Sequence, residues 1–259
     1  MPIRVGVQVQ PQQSDFAAMQ RAWREAEELG VDTIYTWDHF YPLYGEPDGE
    51  HFEGVSTLTA LAASTERARI GALVFCNSYR NPQLLADVHR TIDHVSGGRV
   101  IFGIGAGWFE RDYDEYGYEF GTAPDRLRAL RRDLPLMQER LKKLNPSPIG
   151  PMPILIGGGG EKVTLRIVAE HADMWHVFAD VDTYRHKAEI LAEHCANVGR
   201  DPSTIEHVIG SLENIEGIAD ELADAGVSEL TVGVGGSGSG YDLGELREMI
   251  AWRDRRNAA

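Results

Sequence analysis

The chain has 259 residues, 42% of them hydrophobic and 25% charged, with a formal charge of −15 at pH 7. That suffices for a single α/β domain over residues 1–259 with a sizeable core, while the acidic balance excludes a nucleic-acid stripe and opposes an anionic membrane surface. The two cysteines, Cys76 and Cys195, lack metal-ligand spacing, no apolar run is long enough to span a bilayer, and MPIRVGVQVQ reads as a strand, so a cytoplasmic location is expected.

Strand-like and helix-like segments alternate along the chain. Ile3–Val9 is a strand, and Asp15–Leu29 an amphipathic helix stopped by Gly30. Asp32–Trp37 is a strand, Thr57–Thr65 a helix, Ala68–Phe75 a strand, and Pro82–Val95 a helix opened by proline. Arg99–Ile104 is a strand and Pro124–Leu144 a long helix, closed by an Asn-Pro-Ser-Pro break. Four more pairs follow: Pro153–Ile156 with Glu161–Ala172, Met174–Phe178 with Thr183–Val198, Thr204–Ile209 with Ile215–Ala225, and Ser228–Val234 with Leu243–Arg256. Eight βα units in about 250 residues match a (β/α)8 TIM barrel. Two long loops, Phe40–Gly54 and Gly105–Ala123, leave C-terminal strand ends, where barrel enzymes gather their active sites. Gly235–Gly240 reads as a flexible loop.

The densest signal is ILIGGGGEKVTLRIVAEHADMWHVF, residues 154–178. A strand runs into Gly157, Gly158, Gly159 and Gly160 and then a helix. Glycines let backbone wrap a ligand, and the helix start presents free N–H groups and a positive dipole end. A phosphorylated cofactor is therefore expected, with Lys162 or Arg166 available for a longer anionic tail.

The other strand ends supply the remaining candidates. Strand two ends Thr36-Trp37-Asp38-His39-Phe40, and a histidine beside a carboxylate suits proton transfer near neutral pH. A capping Asp38 with a surface His39 is the competing reading. Strand three ends at Cys76-Asn77: Cys76 reads as a buried small residue rather than a nucleophile, and Asn77 could meet a heteroaromatic edge. Strand four ends Gly105-Ala106-Gly107-Trp108, whose small residues leave room for a flat ring. Trp37, Trp108 and Trp175 are candidate substrate-pocket walls. Glu170, His171, Asp173 and His176 match no familiar ligand spacing, so no metal is expected.

EELGVDTIYTWDHF, VFCNSYRNPQLLADVHRTIDHVSGGRVIFGIGAGWFERDYDEYG and PILIGGGGEKVTLRIVAEHADMW together resemble the bacterial luciferase-like family, and more narrowly its actinobacterial deazaflavin-dependent oxidoreductases. The resemblance implies a (β/α)8 barrel and a homodimer that binds coenzyme F420 or flavin mononucleotide (FMN) at the C-terminal mouth. It places Asp38 and His39 near the reactive ring edge, Cys76-Asn77 at a non-proline cis peptide bulging against the ring, and Gly157–Gly160 on the phosphate. Trp108 stands where sugar-phosphate-oxidising relatives carry a catalytic glutamate, which argues against a sugar phosphate. The expected function is an F420-dependent oxidoreductase moving hydride to or from a small organic substrate, with His39 handling the proton and Asp38 orienting it. The rivals are an FMN monooxygenase fed by a separate reductase and a barrel that binds a flavin without catalysis.

Overall fold

The apolar runs pair in parallel in the computed structural model, which describes residues 2–210, 215–238 and 240–259. Their order is β3-β2-β1-β9-β8-β7-β6-β5-β4 in one sheet. The segments are β1 Arg4–Val9, β2 Thr33–Thr36, β3 Arg69–Ala72, β4 Phe75–Cys76, β5 Phe102–Gly105, β6 Ile154–Gly157, β7 Met174–Phe178, β8 Glu206–Gly210 and β9 Glu229–Val234. The two ends of that order, β3 and β4, are halves of one stave interrupted at Leu73-Val74. A parallel bridge from Ile70 to Val100, with Ile101 N–H donating to the Ile70 carbonyl at 2.7 Å, brings the sheet round on itself. The expected eight-stave barrel is what forms.

Helices cover the outside: α1 Phe16–Leu29, α2 Gly54–Ser64, α3 Pro82–Ser96, α4 Glu110–Tyr116, α5 Ala123–Leu141, α6 Thr164–His171, α7 Val181–Asn197, α8 Ala219–Asp224 and α9 Gly244–Ala258. Their starts follow local chemistry. Asp15 accepts from Ala18 N–H to cap α1, and Asn81 caps α3 with Pro82 at its first position. The loop after β5 holds α4, a helix not anticipated because its seven residues are too few for a clear apolar period. Gly235–Gly240 is also more ordered than read: Gly236–Ser237 pair antiparallel with Gly240–Tyr241, and Ser239 lies outside the described residues.

Strand alternation sorts the side chains. Tyr35, Ile101, Leu155, Met174 and Val208 fill the barrel axis, with Leu73 and Val74 packed on them. Below them sits Glu229, fully buried, accepting from Thr33 Oγ1 (2.9 Å), Tyr35 OH (2.7 Å), Arg69 Nη2 (2.9 Å) and Arg4 Nε (3.3 Å). Gly6 makes the room: a Cβ there would lie 2.8 Å from the Glu229 carboxylate.

Four histidines, His51, His89, His176 and His207, are pushed down to about 4 by burial. His89 is stacked on Phe102 at 3.8 Å. Between pH 4 and 6.5 the unfolded chain binds protons that these folded imidazoles refuse. Their contribution is therefore complete above pH 6.5 and is lost as pH falls, by about 1.4 kcal/mol per unit for each fully buried ring. Denaturation at pH 7 and pH 5 should show a large fall in stability with net proton uptake on unfolding; a flat profile contradicts this.

Candidate active site

Alternation along β2 and the residues after it decides which way each candidate points. Trp37 and His39 face the barrel mouth, and Asp38 faces the helices. There Asp38 is buried and receives both Arg80 terminal nitrogens at 2.6 and 2.8 Å, together with the Cys76 N–H at 3.0 Å. Arg80 also reaches Glu53, the cap of α2. The carboxylate of Asp38 thus staples β2, β4 and α2 together. The expectation that Asp38 orients His39 is corrected: its lone pairs are taken up on the other side of the strand.

The carboxylate that holds His39 is Asp112, on the unanticipated α4. His39 Nδ1 lies 2.7 Å from Asp112 Oδ2. Asp112 is completely buried and also accepts from Tyr79 OH at 3.0 Å and from the Phe40 and Tyr41 N–H groups at 3.1 Å each. Four donors fix the carboxylate, and the carboxylate fixes the ring with Nε2 as its free nitrogen. Trp37, Trp108 and Phe109 pack around the imidazole at centroid distances of 5.9, 5.9 and 5.5 Å.

His39 stands between two cavities. The inner one, about 510 Å³, is lined by Val74, Phe75, Cys76, Gly105–Gly107, Leu130, Gly157–Gly159 and His176, among others. The outer one, about 780 Å³, lies over the barrel axis against Gln8, Trp37, Tyr44, Thr231 and three glutamates. Both touch His39, Leu73, Trp108 and Phe178. A third hollow, about 480 Å³, continues outward from the inner cavity through Leu127, Gly159 and Thr164 to Gly160, Lys162 and Lys187.

Glycine shapes the inner cavity. A Cβ at Gly105 would come within 2.7 Å of a Val74 methyl, and one at Gly157 within 2.9 Å. Gly158 has φ +124, a conformation side chains disfavour, and its carbonyl accepts from Trp175 Nε1 at 2.9 Å. Trp175 is therefore no pocket wall, which corrects its assignment: it faces outward from β7, fully buried, and braces the glycine loop from behind. Trp37 and Trp108 do line the outer cavity, and Trp108 is 63% exposed.

Two further expectations change. The non-proline cis peptide joins Leu73 to Val74, not Cys76 to Asn77. Phe75 and Cys76 have by then resumed regular pairing with Ile104 and Gly105. Asn77 turns away from the cavity and donates to Asp133 at 2.9 Å, so it meets no ligand edge. Cys76 lines the cavity as a thiol: burial pushes it up to about 11, and its sulfur lies 3.1 Å from Tyr113 OH. Of the two cations suggested for an anionic tail, Lys162 borders the third hollow, whereas Arg166 pairs with Glu170 at 3.0 Å.

Several site residues escaped the sequence reading. Arg126 of α5 lines the inner cavity and is held by the Gly107 and Phe120 carbonyls at 3.0 and 2.9 Å. Lys187 of α7 donates to the Gly159 carbonyl at 2.9 Å. His176, 5% exposed, borders the inner cavity with Nε2 unpartnered among the described residues. The strand-end position of His176 was a signal for it; Arg126 and Lys187 had none, being ordinary helix-surface cations until the helices pack.

A family model for luciferase-like monooxygenases matches residues 1–230. The chain belongs to the luciferase-like monooxygenase family. Among curated luciferase-like relatives, an F420-dependent glucose-6-phosphate dehydrogenase of Amycolatopsis mediterranei is 30% identical over 156 residues, covering 53% of this chain and 46% of the relative. The chain thus spans about half the length of that enzyme. An uncharacterized protein of Mycobacterium tuberculosis is 28% identical over 250 residues, covering 82% of this chain and 86% of its own. Among solved structures, an F420-dependent secondary alcohol dehydrogenase in complex with an F420-acetone adduct superposes with a TM-score of 0.84 at 16% identity, covering 97% of this chain and 99% of that one. An F420-dependent tetrahydromethanopterin reductase from Methanopyrus kandleri follows at 0.72 and 17%, covering 90% and 93%. At such identities these neighbours speak for the fold.

Proposed function

We propose that this luciferase-like barrel is an F420-dependent oxidoreductase that moves hydride between the coenzyme and a small organic substrate in the outer cavity. The observation that carries the reading is the position of His39 between a flat, glycine-walled cavity and a roomier one over the barrel axis. The inner cavity suits a tricyclic ring: its walls are largely apolar, and glycines leave space against Val74. In the Gly157–Gly160 loop the Gly158 N–H is already donated to the His176 carbonyl at 2.9 Å, so Gly159, Gly160 and the start of α6 would hold the phosphate through backbone N–H groups. Lys162 stands where a longer anionic tail would leave, beside Lys187, which pairs with Glu161 at 3.1 Å; an available Lys162 supports F420 over the shorter FMN. When bound, the deazaflavin supplies a two-electron hydride donor or acceptor.

The protein's own part is positioning and proton handling. His39 Nε2 faces the junction of the cavities, and Asp112 holds Nδ1 so that Nε2 can give a proton to, or take one from, a substrate oxygen or nitrogen. Trp37, Trp108 and Phe109 screen the imidazole from bulk water. Titrating the purified chain with F420 and with FMN, followed by absorbance, tests the cofactor. F420 should bind more tightly, and Gly158→Val should weaken it by tenfold or more, about 1.4 kcal/mol, by blocking backbone approach and straining a φ of +124. Tighter FMN binding, or an unchanged affinity in the folded variant, overturns the assignment. Screening substrates by cofactor oxidation or reduction then tests the activity itself.

A further inference from the structure

Strand alternation turns Gln8 of β1 toward the barrel axis, where it lines the outer cavity although only 5% of its surface is exposed. Its Nε2 donates to the Leu73 carbonyl at 3.0 Å. A carbonyl can accept only from the NH2 end of a carboxamide, so this bond fixes which way the amide points. Oε1 is the end left without a partner among the described residues. Neither neighbouring strand supplies one. In register with Gln8 stand Tyr35 of β2 and Gly233 of β9. Tyr35 donates its hydroxyl to Glu229 at 2.7 Å, and Gly233 has no side chain. A Cβ at Gly233 would meet nothing nearer than Gln10 Nε2, at 3.8 Å, and Gly233 itself borders the outer cavity. Gln8 Oε1 is not among the sealed, unpartnered polar atoms of the interior, so the surface that Gln8 retains opens on that space.

We propose that Gln8 is a specificity-determining residue: the substrate carries an O–H or N–H donor that meets Gln8 Oε1, besides the group that reacts beside His39. This rests on the reading of the outer cavity as the substrate site. A molecule with a donor pairs the oxygen as it displaces water from it. A molecule that offers only acceptors strips the same water, returns nothing and sets lone pairs against lone pairs. The amide cannot turn over to present its NH2 group instead, because that would break the bond to Leu73 and face two carbonyl oxygens together. The preference is therefore for donors, and it is built into the strand rather than left to a freely rotating side chain.

The test is an NMR titration of the cofactor-free chain with 1-phenylethanol and acetophenone, which share a skeleton and differ in offering a donor. The side-chain NH2 of Gln8 and the backbone amide of Leu73 report the site. The alcohol should bind about tenfold more tightly than the ketone and should move both signals. Gln8→Met keeps the bulk without an oxygen and should bring the two affinities within about twofold of each other. Gln8→Glu keeps an acceptor and should retain the preference, which separates acceptance from packing. Equal affinities in the wild type, binding of neither probe, no response at Gln8, an unaltered preference in folded Gln8→Met, or its loss in Gln8→Glu overturns the proposal. Because no cofactor is present, failure of F420 to bind in its own titration would sink the oxidoreductase reading and leave this result standing.

Discussion

His39→Ala is expected to lower turnover by about 10²–10⁴-fold while the folded variant still binds F420, since a positioned acid–base group is typically worth that much. The imidazole reaches both cavities, yet among the described residues its only side-chain hydrogen bond is to Asp112, at 2.7 Å. On the proposed reading its removal should therefore take away the proton carrier while leaving the Gly157–Gly160 loop undisturbed. Asp112→Asn provides the companion measurement. An amide cannot accept from the ring, Tyr79 and two backbone N–H groups as a carboxylate does, so His39 should lose its fixed tautomer and turnover should fall by about tenfold or more. Near wild-type kcat in His39→Ala would make the imidazole a wall and move proton transfer elsewhere.

The second large effect lies at the opposite end of the barrel. Glu229→Leu should cost on the order of 3–5 kcal/mol in denaturant-derived stability, the range for breaking a buried ion pair. Two hydroxyls, Thr33 and Tyr35, would lose their carboxylate acceptor in a closed interior. Among the described residues Arg4 and Arg69 would retain only Glu206 as an ion-pair partner, at 2.5 and 3.5 Å, and that residue is partly exposed. Glu229→Gln, which keeps one acceptor oxygen, should cost less. Conservation of charge matters here for stability and not for chemistry, because barrel enzymes act at the other face. A variant that unfolds at the wild-type urea midpoint would show the cluster to be energetically idle.

The barrel was legible because parallel staves buried on both sides read as apolar runs, and proline, glycine and asparagine punctuate them. The glycine loop after β6 was legible for the same reason: four consecutive glycines have few structural uses. What sequence spacing could not reveal was facing. Asp38 and His39 are neighbours in the chain and opposites in space, and the carboxylate that serves the histidine comes from seventy-three residues away. Trp175 and Trp37 looked alike as strand-end tryptophans, but one register step sends Trp175 to the outside of the sheet. Arg126 and Lys187 became site residues only when α5 and α7 packed beside the glycine loop.

The helix Glu110–Tyr116 does two jobs at once. It supplies Asp112 to His39, and the segment leading into it lays Trp108 and Phe109 against the same imidazole. If this segment lifts to let ligand in, the carboxylate leaves Nδ1 in the same motion, and the histidine loses its orientation whenever the mouth stands open. Admission and reactivity then exclude one another, so a reduced cofactor facing solvent would meet no proton donor set to consume it. Amide exchange over residues 110–116 and the visibility of the His39 ring N–H by NMR should change together on ligand binding; independent behaviour would show that entry does not pass through this helix.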